Sequence, residues 1–169
     1  IETDFFRKLS AFINGLNQHD TLQQIKENHR LLIVSFEKSS LQLFLFQAVI
    51  CTALIVVSPF IFDWLHINYM QISIFRYGVI GSLFQVMFLF LTITLSYFDA
   101  RSSLIKAASV FLIMNVGFTF LTFYLGFEYY GMGYALACVV AFVYAGFLTV
   151  KHLNKLIYHS FVTTNKLNS

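Results

Sequence analysis

Charged residues are scarce in this chain. Asp, Glu, Lys and Arg make up 11% of its 169 residues, whereas an average soluble domain has roughly 25%. Hydrophobic residues make up 58%, and the mean hydropathy is +0.72. With so few polar side chains, the protein has little surface that can face water. The composition therefore excludes an ordinary soluble domain and predicts a protein that lies in lipid.

Proline and cysteine are also rare. The chain has one proline, Pro59, and two cysteines, Cys51 and Cys138. Long apolar runs with so few breaks predict α-helices and argue against a β-barrel, whose strands alternate apolar and polar residues over about ten positions. The cysteines have neither the number nor the C-x-x-C spacing of a disulfide framework or a metal site, so we interpret them as small buried hydrophobic side chains.

Groups for catalysis or redox chemistry are missing from the apolar runs. The acidic residues lie in the first 40 residues, in turns or at the borders of the runs, and no catalytic constellation is visible. All histidines lie outside the runs, which argues against a haem-binding subunit. We therefore expect no enzymatic activity, no catalytic residues, no cofactor and no metal. His152, Lys155 and His159 share one helical face, where contact with lipid headgroups is the main interpretation and metal binding the minor alternative.

The chain is rich in long apolar runs. Four of them predict transmembrane helices at about 41–65, 74–98, 104–125 and 132–150, because a hydrocarbon core about 30 Å thick takes ~20 residues at 1.5 Å each. The predicted fold class is all-α, a polytopic membrane protein with four transmembrane helices preceded by short amphipathic helices. Short turns join the spans, so consecutive helices should be antiparallel neighbours. Pro59 should bend or end the last turn of the first span.

Residues 1–40 form a polar segment with five basic and five acidic residues. Apolar residues at helical spacing predict a first short helix, with the stripe Phe5, Leu9, Phe12 and Leu16. Thr21 and Gln24 fit a capping box that opens a second helix, which should continue through Ser39 and Ser40 into the first span. This segment either lies on the membrane or a neighbouring domain, or recruits a partner.

The positions of Lys and Arg predict the orientation. Basic residues occur in segment 1–40, in the turn with Arg101 and Lys106, and in the tail 151–169, whereas the turns 66–72 and 126–131 have none. By the positive-inside rule, residues 1–40, the turn after the second span and residues 151–169 are cytoplasmic. The spans occupy 41–150.

Among the polar residues within the spans, we treat three as candidates for a substrate path: Arg76, Gln85 and Asn115. A charge at mid-membrane costs ~2.5 to 3.5 kcal/mol, so an arginine there is normally paired, hydrated or functional. Arg76 lies close to the outward end, where it can also snorkel to the headgroups or pair with Asp63 or Glu128. Neutral polar groups more often join helices by hydrogen bonds, and this second interpretation covers Gln85 and Asn115 as well as Thr92, Thr94, Ser96, Thr119 and Thr122.

Small residues recur every four positions in the last span, at Gly133, Ala137, Ala141 and Ala145. Such a ridge lets another backbone approach closely, so this span should be a packing helix. Asp99 and Arg101 lie in the predicted cytoplasmic turn, where they suit a topology anchor or a partner contact.

Six segments, in order and with their spacing, carry a resemblance over essentially the whole chain: Ile1-Glu2-Thr3-Asp4-Phe5, Thr21-Leu22, Tyr97-Phe98-Asp99-Ala100-Arg101, Asn115 with Gly117-Phe118-Thr119, Tyr129-Tyr130-Gly131-Met132-Gly133-Tyr134-Ala135-Leu136-Ala137, and Leu156-Ile157-Tyr158-His159-Ser160-Phe161. The chain resembles the C-terminal portion of the PelG family, inner-membrane transporters of the Pel exopolysaccharide system within the MATE-like and Wzx-like flippase superfamily.

The resemblance implies a protein of about a dozen spans in two helical bundles, of which this chain is the later part of the second. The chain begins at Ile1 without an initiator Met, which fits a piece of a longer protein, since four spans cannot enclose a path for a sugar chain. The resemblance further implies export of a galactosamine-rich polymer across the bacterial inner membrane, with the glycosyltransferase PelF and the membrane proteins PelD and PelE as partners and no nucleic acid. The alternative is a non-transporting membrane scaffold for a polysaccharide biosynthesis complex.

Overall fold

The structure is a computed structural model. It describes the backbone of residues 22–167 and the side chains of residue 27 and of 30–127 and 129–153. The first predicted helix, which carries the stripe from Phe5 to Leu16, and Thr21 lie outside the described residues, and so do the side chains of Gln24, Lys155 and His159. The predictions that rest on them stay predictions.

Four long α-helices and one short 3-10 helix make up this range. The helices are α1, Leu22–Trp64, α2, Gln71–Tyr97, α3, Arg101–Leu125, and α4, Met132–Leu167, with the 3-10 helix at Phe127–Tyr129 between the last two. Residues 22–167 contain no strand. Each helix has a stretch long and apolar enough to cross a membrane, and the predicted all-α class with four spans is confirmed.

The helix bounds differ from the predicted spans in instructive ways. α1 runs without a break from Leu22 through Ser39 and Ser40, as predicted, and it continues past Pro59 to Trp64. α3 begins at Arg101, three residues before the predicted start, because its first turn is polar and carries no hydropathy signal. Helix ends are set by backbone geometry as well as by the length of an apolar run.

Two of the helices end on a left-handed residue that is not glycine. His66 has φ 54° and Asp99 has φ 51°. After α2, the Asp99 N–H donates to the Ser96 carbonyl and the Ala100 N–H to the Leu95 carbonyl, both at 3.0 Å. This pair of bonds is the Schellman motif, which satisfies the last free carbonyls of a helix and turns the chain back.

The turns 65–70 and 126–131 lie at the same end of the bundle. Gly131, at φ 90°, packs so closely on the start of α2 that a Cβ there would lie 3.2 Å from the Ile74 carbonyl oxygen. We call the end of the bundle with these two turns the Arg76 end. The opposite end, which carries residues 98–100, is called the Asp99 end.

The chain divides into two compact units. The described residues up to Leu43 and from Val150 belong to one unit, in which Leu32, Ser35 and Ser39 are buried along one face of α1. Phe44–Thr149 is the other unit. Its core lies on α2 and α4. In the most apolar 18-residue stretch of each helix, 39% of the residues of α2 and 44% of those of α4 are buried, compared with 11% for α1 and 6% for α3.

α2 packs on α4 along most of its length. An ideal Cβ at Gly81 would lie 2.5 Å from the Tyr134 ring, so the ring occupies the space that the glycine leaves. Further along, the rings of Phe84 and Phe142 lie 6.0 Å apart. Aromatic pairs also join α2 to its other neighbours, with centroid distances of 5.6 Å for Phe62–Phe75 and 5.5 Å for Phe88–Phe111. α2 therefore contacts each of the other three long helices.

Candidate functional site

Arg76 contacts α1 at Ser58, the residue directly before Pro59. Proline has no N–H, so the Ile55 carbonyl, four residues before Pro59, lacks its usual helical donor. The Ser58 hydroxyl donates to this carbonyl at 2.7 Å and is fully buried. The Ser58 hydroxyl thus donates the hydrogen bond to Ile55 that the proline nitrogen cannot donate.

Arg76 lies against this hydroxyl from the neighbouring helix. Its Nε donates to the Ser58 Oγ at 3.4 Å, which is long for such a bond, and the side chain is exposed. Asp63, one of the two acidic partners considered from the sequence, accepts a hydrogen bond from the Tyr69 hydroxyl at 3.4 Å. The other, Glu128, lies outside the described side chains.

Gln85 lies half-buried near the middle of α2 and faces α4. The Cys138 Sγ donates to the Gln85 Oε1 at 3.4 Å. Because this bond uses the amide oxygen, it does not occupy the two N–H donors of the Gln85 side chain. Gln85 is therefore both a link between two helices and a source of donors.

Asn115 lies half-buried on α3. Three residues further along this helix, the Phe118 backbone meets α4 at Gly133, which places Asn115 on the flank of α3 that borders α4, one turn closer to the Asp99 end. Among the described residues, its side-chain amide has no hydrogen-bond partner. The neighbouring Ile113 and Val116 are 65% and 49% exposed, so this part of α3 is open to its surroundings.

The four helices do not bring these three candidates into one cluster. Arg76 and Gln85 are nine residues apart on α2, which at about 100° per residue puts them on opposite faces. Accordingly Arg76 contacts α1 and Gln85 contacts α4.

A second polar contact between helices was not expected from the sequence. The Cys51 Sγ donates to the Val79 carbonyl at 3.4 Å and lies 3.8 Å from the Ser82 hydroxyl, while the Gln47 amide donates to the same sulfur at 3.7 Å. Both cysteines are buried and free, as interpreted above. Each also bonds to α2, so their thiols act as weak polar links between helices.

The expectation that threonine hydroxyls join the helices is wrong for three of them. Thr92 donates to the Leu89 carbonyl, Thr94 to Phe90 and Thr122 to Thr119, at 2.8 to 2.9 Å. The carbonyl three or four residues earlier in the same helix is within reach of any helical hydroxyl, so it competes successfully with acceptors on other helices.

The small residues of α4 lie on one buried face. Gly133 is buried, and Ala137, Ala141 and Ala145 have no exposed surface. Thr149 continues the same spacing and is 1% exposed. The tightest approach is at Gly133, where an ideal Cβ would lie 2.7 Å from the Phe118 carbonyl.

Asp99 and Arg101 form an ion pair at the opposite end. Arg101 Nε lies 2.7 Å from Asp99 Oδ1, and the two side chains are 85% and 76% exposed. Such an exposed pair contributes little to stability. A groove of about 350 Å³ opens near the same end, between α2 and α3, and is lined by Phe88, Thr92, Ile93, Ser96, Leu104 and Ala108.

The described residues contain no group of three or more His, Cys, Asp or Glu side chains that could hold a metal ion.

Comparison with known families gave one result. The family model PelG, described as "Putative exopolysaccharide Exporter (EPS-E)", matches residues 1–161. Neither the curated proteins nor the solved structures gave a match. The family match covers nearly the whole chain, including every candidate residue described above.

Proposed function

The chain belongs to the PelG family of exopolysaccharide exporters, and from this premise we propose how it contributes to export. It is a multi-pass membrane protein of an export system for exopolysaccharide. The polymer passes along a path that these helices line in part, and Arg76, Gln85 and Asn115 present hydrogen-bond donors to its hydroxyl groups. The observation that carries this proposal is the family match over residues 1–161.

The geometry of the three side chains supports a path that other helices complete. The side-chain amide of Asn115 has no hydrogen-bond partner among the described residues. It lies on α3, and only 6% of the most apolar 18-residue stretch of this helix is buried. An amide in hydrocarbon without a partner is costly, so an acceptor or donor from outside these four helices is expected there. Since Arg76 and Gln85 face opposite sides of α2, we propose that they contact different stretches of the path.

The orientation that we propose places the Asp99 end in the cytoplasm and the Arg76 end in the periplasm of a bacterial inner membrane. Arg101 and Lys106 lie at the Asp99 end and are exposed, as the positive-inside rule favours. Residues 1–40 and the tail 151–169 are then cytoplasmic as well.

We further propose that the cytoplasmic side carries the partner contacts. The exposed Asp99–Arg101 pair and the segment 1–40 are the surfaces on which the glycosyltransferase PelF and the membrane proteins PelD and PelE would act, in line with the family resemblance. Export then needs no catalytic step by this chain itself.

The proposal is tested by substitution at the chromosomal locus of the exporter gene in a strain that depends on it. Arg76→Leu, Gln85→Leu and Asn115→Leu are scored one at a time for exported polymer and for protein level in the membrane. Gln47→Leu is the matched control, because Gln47 is also a half-buried amide but bonds to Cys51 within the α1–α2 contact.

The expected result is lower export at unchanged protein level for the three variants and normal export for Gln47→Leu. Normal export in all three would contradict the path and favour the scaffold alternative.

A further inference from the structure

The contact between Ser58 and Arg76 is built from three elements that meet at one point. Pro59 removes the donor for the Ile55 carbonyl, the Ser58 hydroxyl supplies that donor at 2.7 Å, and the same hydroxyl oxygen accepts from Arg76 Nε at 3.4 Å. Because the hydroxyl hydrogen is directed at Ile55, the lone pairs of the oxygen are left for Arg76.

Burial fixes this acceptor in place. Ser58 has no exposed surface, and one helical turn later Phe62, 6% exposed, packs edge to face on Phe75, the neighbour of Arg76. The two helices are therefore held together beside the contact. Arg76 itself is exposed, so a buried oxygen accepts a hydrogen bond from one nitrogen of an accessible guanidinium.

We propose that Ser58 is a positioning residue for Arg76, which orients the guanidinium so that its two amino nitrogens face an acceptor group of the polymer. The bond to Ser58 uses the Nε–H and does not occupy the four N–H donors of the amino nitrogens, which are arranged to bind paired oxygens such as neighbouring hydroxyls or a carboxylate. This inference rests on the proposed function, since it assumes that Arg76 lies on the path.

A purely structural role for Ser58 makes a different prediction. If the hydroxyl only satisfies the Ile55 carbonyl, then restoring the backbone donor by Pro59→Ala removes the need for it. The double variant Ser58→Ala/Pro59→Ala has a complete helical ladder but no acceptor for Arg76. This variant therefore separates the two roles, and it also protects the test if Ser58→Ala alone accumulates poorly.

The experiment measures exported polymer per unit of membrane-inserted protein, with each variant at the chromosomal locus. The variants are Arg76→Gln, Ser58→Ala, Ser58→Ala/Pro59→Ala and Ser58→Ala/Arg76→Gln. Ser82→Ala is the matched control, because Ser82 makes the same 2.7 Å bond to the carbonyl three residues earlier, that of Val79, and has Cys51 rather than an arginine beside it.

We expect Arg76→Gln, Ser58→Ala and Ser58→Ala/Pro59→Ala each to lower export roughly threefold to tenfold. Ser58→Ala/Arg76→Gln should be no lower than Arg76→Gln alone, because a positioning residue has no effect once the group that it positions is gone. Ser82→Ala should export normally.

Two results would overturn the inference and leave the proposed function in place. Normal export by Ser58→Ala/Pro59→Ala beside a defective Arg76→Gln would show that Ser58 serves the backbone alone. If Ser58→Ala lowers export by the same factor in the Arg76→Gln variant as it does alone, the two residues act independently. Normal export by Arg76→Gln would overturn both the inference and the place of Arg76 on the path.

Discussion

Gly133 of α4 lies directly against the backbone of Phe118 in α3, so that an ideal Cβ at position 133 would be 2.7 Å from both the carbonyl carbon and the carbonyl oxygen of Phe118. Atoms of a backbone cannot move aside as the end of a flexible side chain can. The contact therefore sets how closely the last two helices approach, and it lies one turn from Asn115.

Gly133→Ala should separate α3 from α4 and destabilise the protein. We expect a loss of about 1 to 3 kcal/mol, which is typical of overpacking in a close contact, measured as a lower midpoint of thermal unfolding in detergent. Gly117→Ala is the control, because a Cβ at Gly117 meets nothing within 4 Å, and alanine favours the helix by up to about 1 kcal/mol. A Gly133→Ala variant as stable as Gly117→Ala would show that the helices are further apart than described.

The bond between Gln85 and Cys138 should behave as a weak link between helices. Cys138→Ala removes the donor to the Gln85 amide, and side-chain bonds of this kind within membranes average about 0.6 kcal/mol. Cys138→Ser keeps a donor and should recover part of the loss. In a double-mutant cycle on thermal unfolding, Gln85→Leu should cost less in the Cys138→Ala background than alone, whereas additive losses would show that the two side chains do not interact.

Asp99 combines a backbone role with an ion pair, and the two can be separated. Asp99→Asn keeps a residue that tolerates the left-handed region but removes the charge opposite Arg101, so stability should change little. Asp99→Val, a β-branched residue at φ 51°, should lose about 1 to 2 kcal/mol. Thermal unfolding measures both. Equal losses in the two variants would mean that the ion pair, and not the backbone, holds this turn.

The proposed orientation is open to labelling with a membrane-impermeant maleimide in intact cells. Met70→Cys, exposed in the turn at the Arg76 end, should react at once, whereas Ser102→Cys, exposed beside Arg101, should react only after the inner membrane is permeabilised. The unmodified chain is the control, because Cys51 and Cys138 are buried. Reaction of Ser102→Cys in intact cells would reverse the orientation.

The number of spans and the run of α1 through Ser39 and Ser40 follow from the sequence, because length and hydropathy alone determine whether a segment can cross a bilayer. The hydrogen-bond partner of Arg76 does not follow from the sequence. α2 and α3 are apolar on nearly all sides, so the sequence has no amphipathic pattern that indicates which way a given residue points. Nearby acidic residues suggested Asp63 or Glu128, whereas the contact among the described side chains is to Ser58, a residue 18 positions away.

Ser58 could have been suspected from the sequence by one signal. A serine directly before a proline inside a long apolar helix is well placed to bond the carbonyl that the proline leaves free. Which residue of the neighbouring helix then meets its oxygen depends on the rotation and register of α2 against α1, and these are set by ring packing such as Phe62 on Phe75. Contacts of this kind are known only once the helices are packed.

The most direct test of the account is to ask whether the polymer touches these helices during export. A small photo-crosslinking amino acid placed at position 115 is compared with the same amino acid at position 116, whose native valine is 49% exposed, in cells that are exporting and in cells that make no polymer. If the polymer passes along α3, a polysaccharide adduct forms at position 115 that exceeds the one at position 116 and depends on polymer synthesis. Equal adducts at both positions, or none at 115 while export proceeds, would contradict a path along this face of α3.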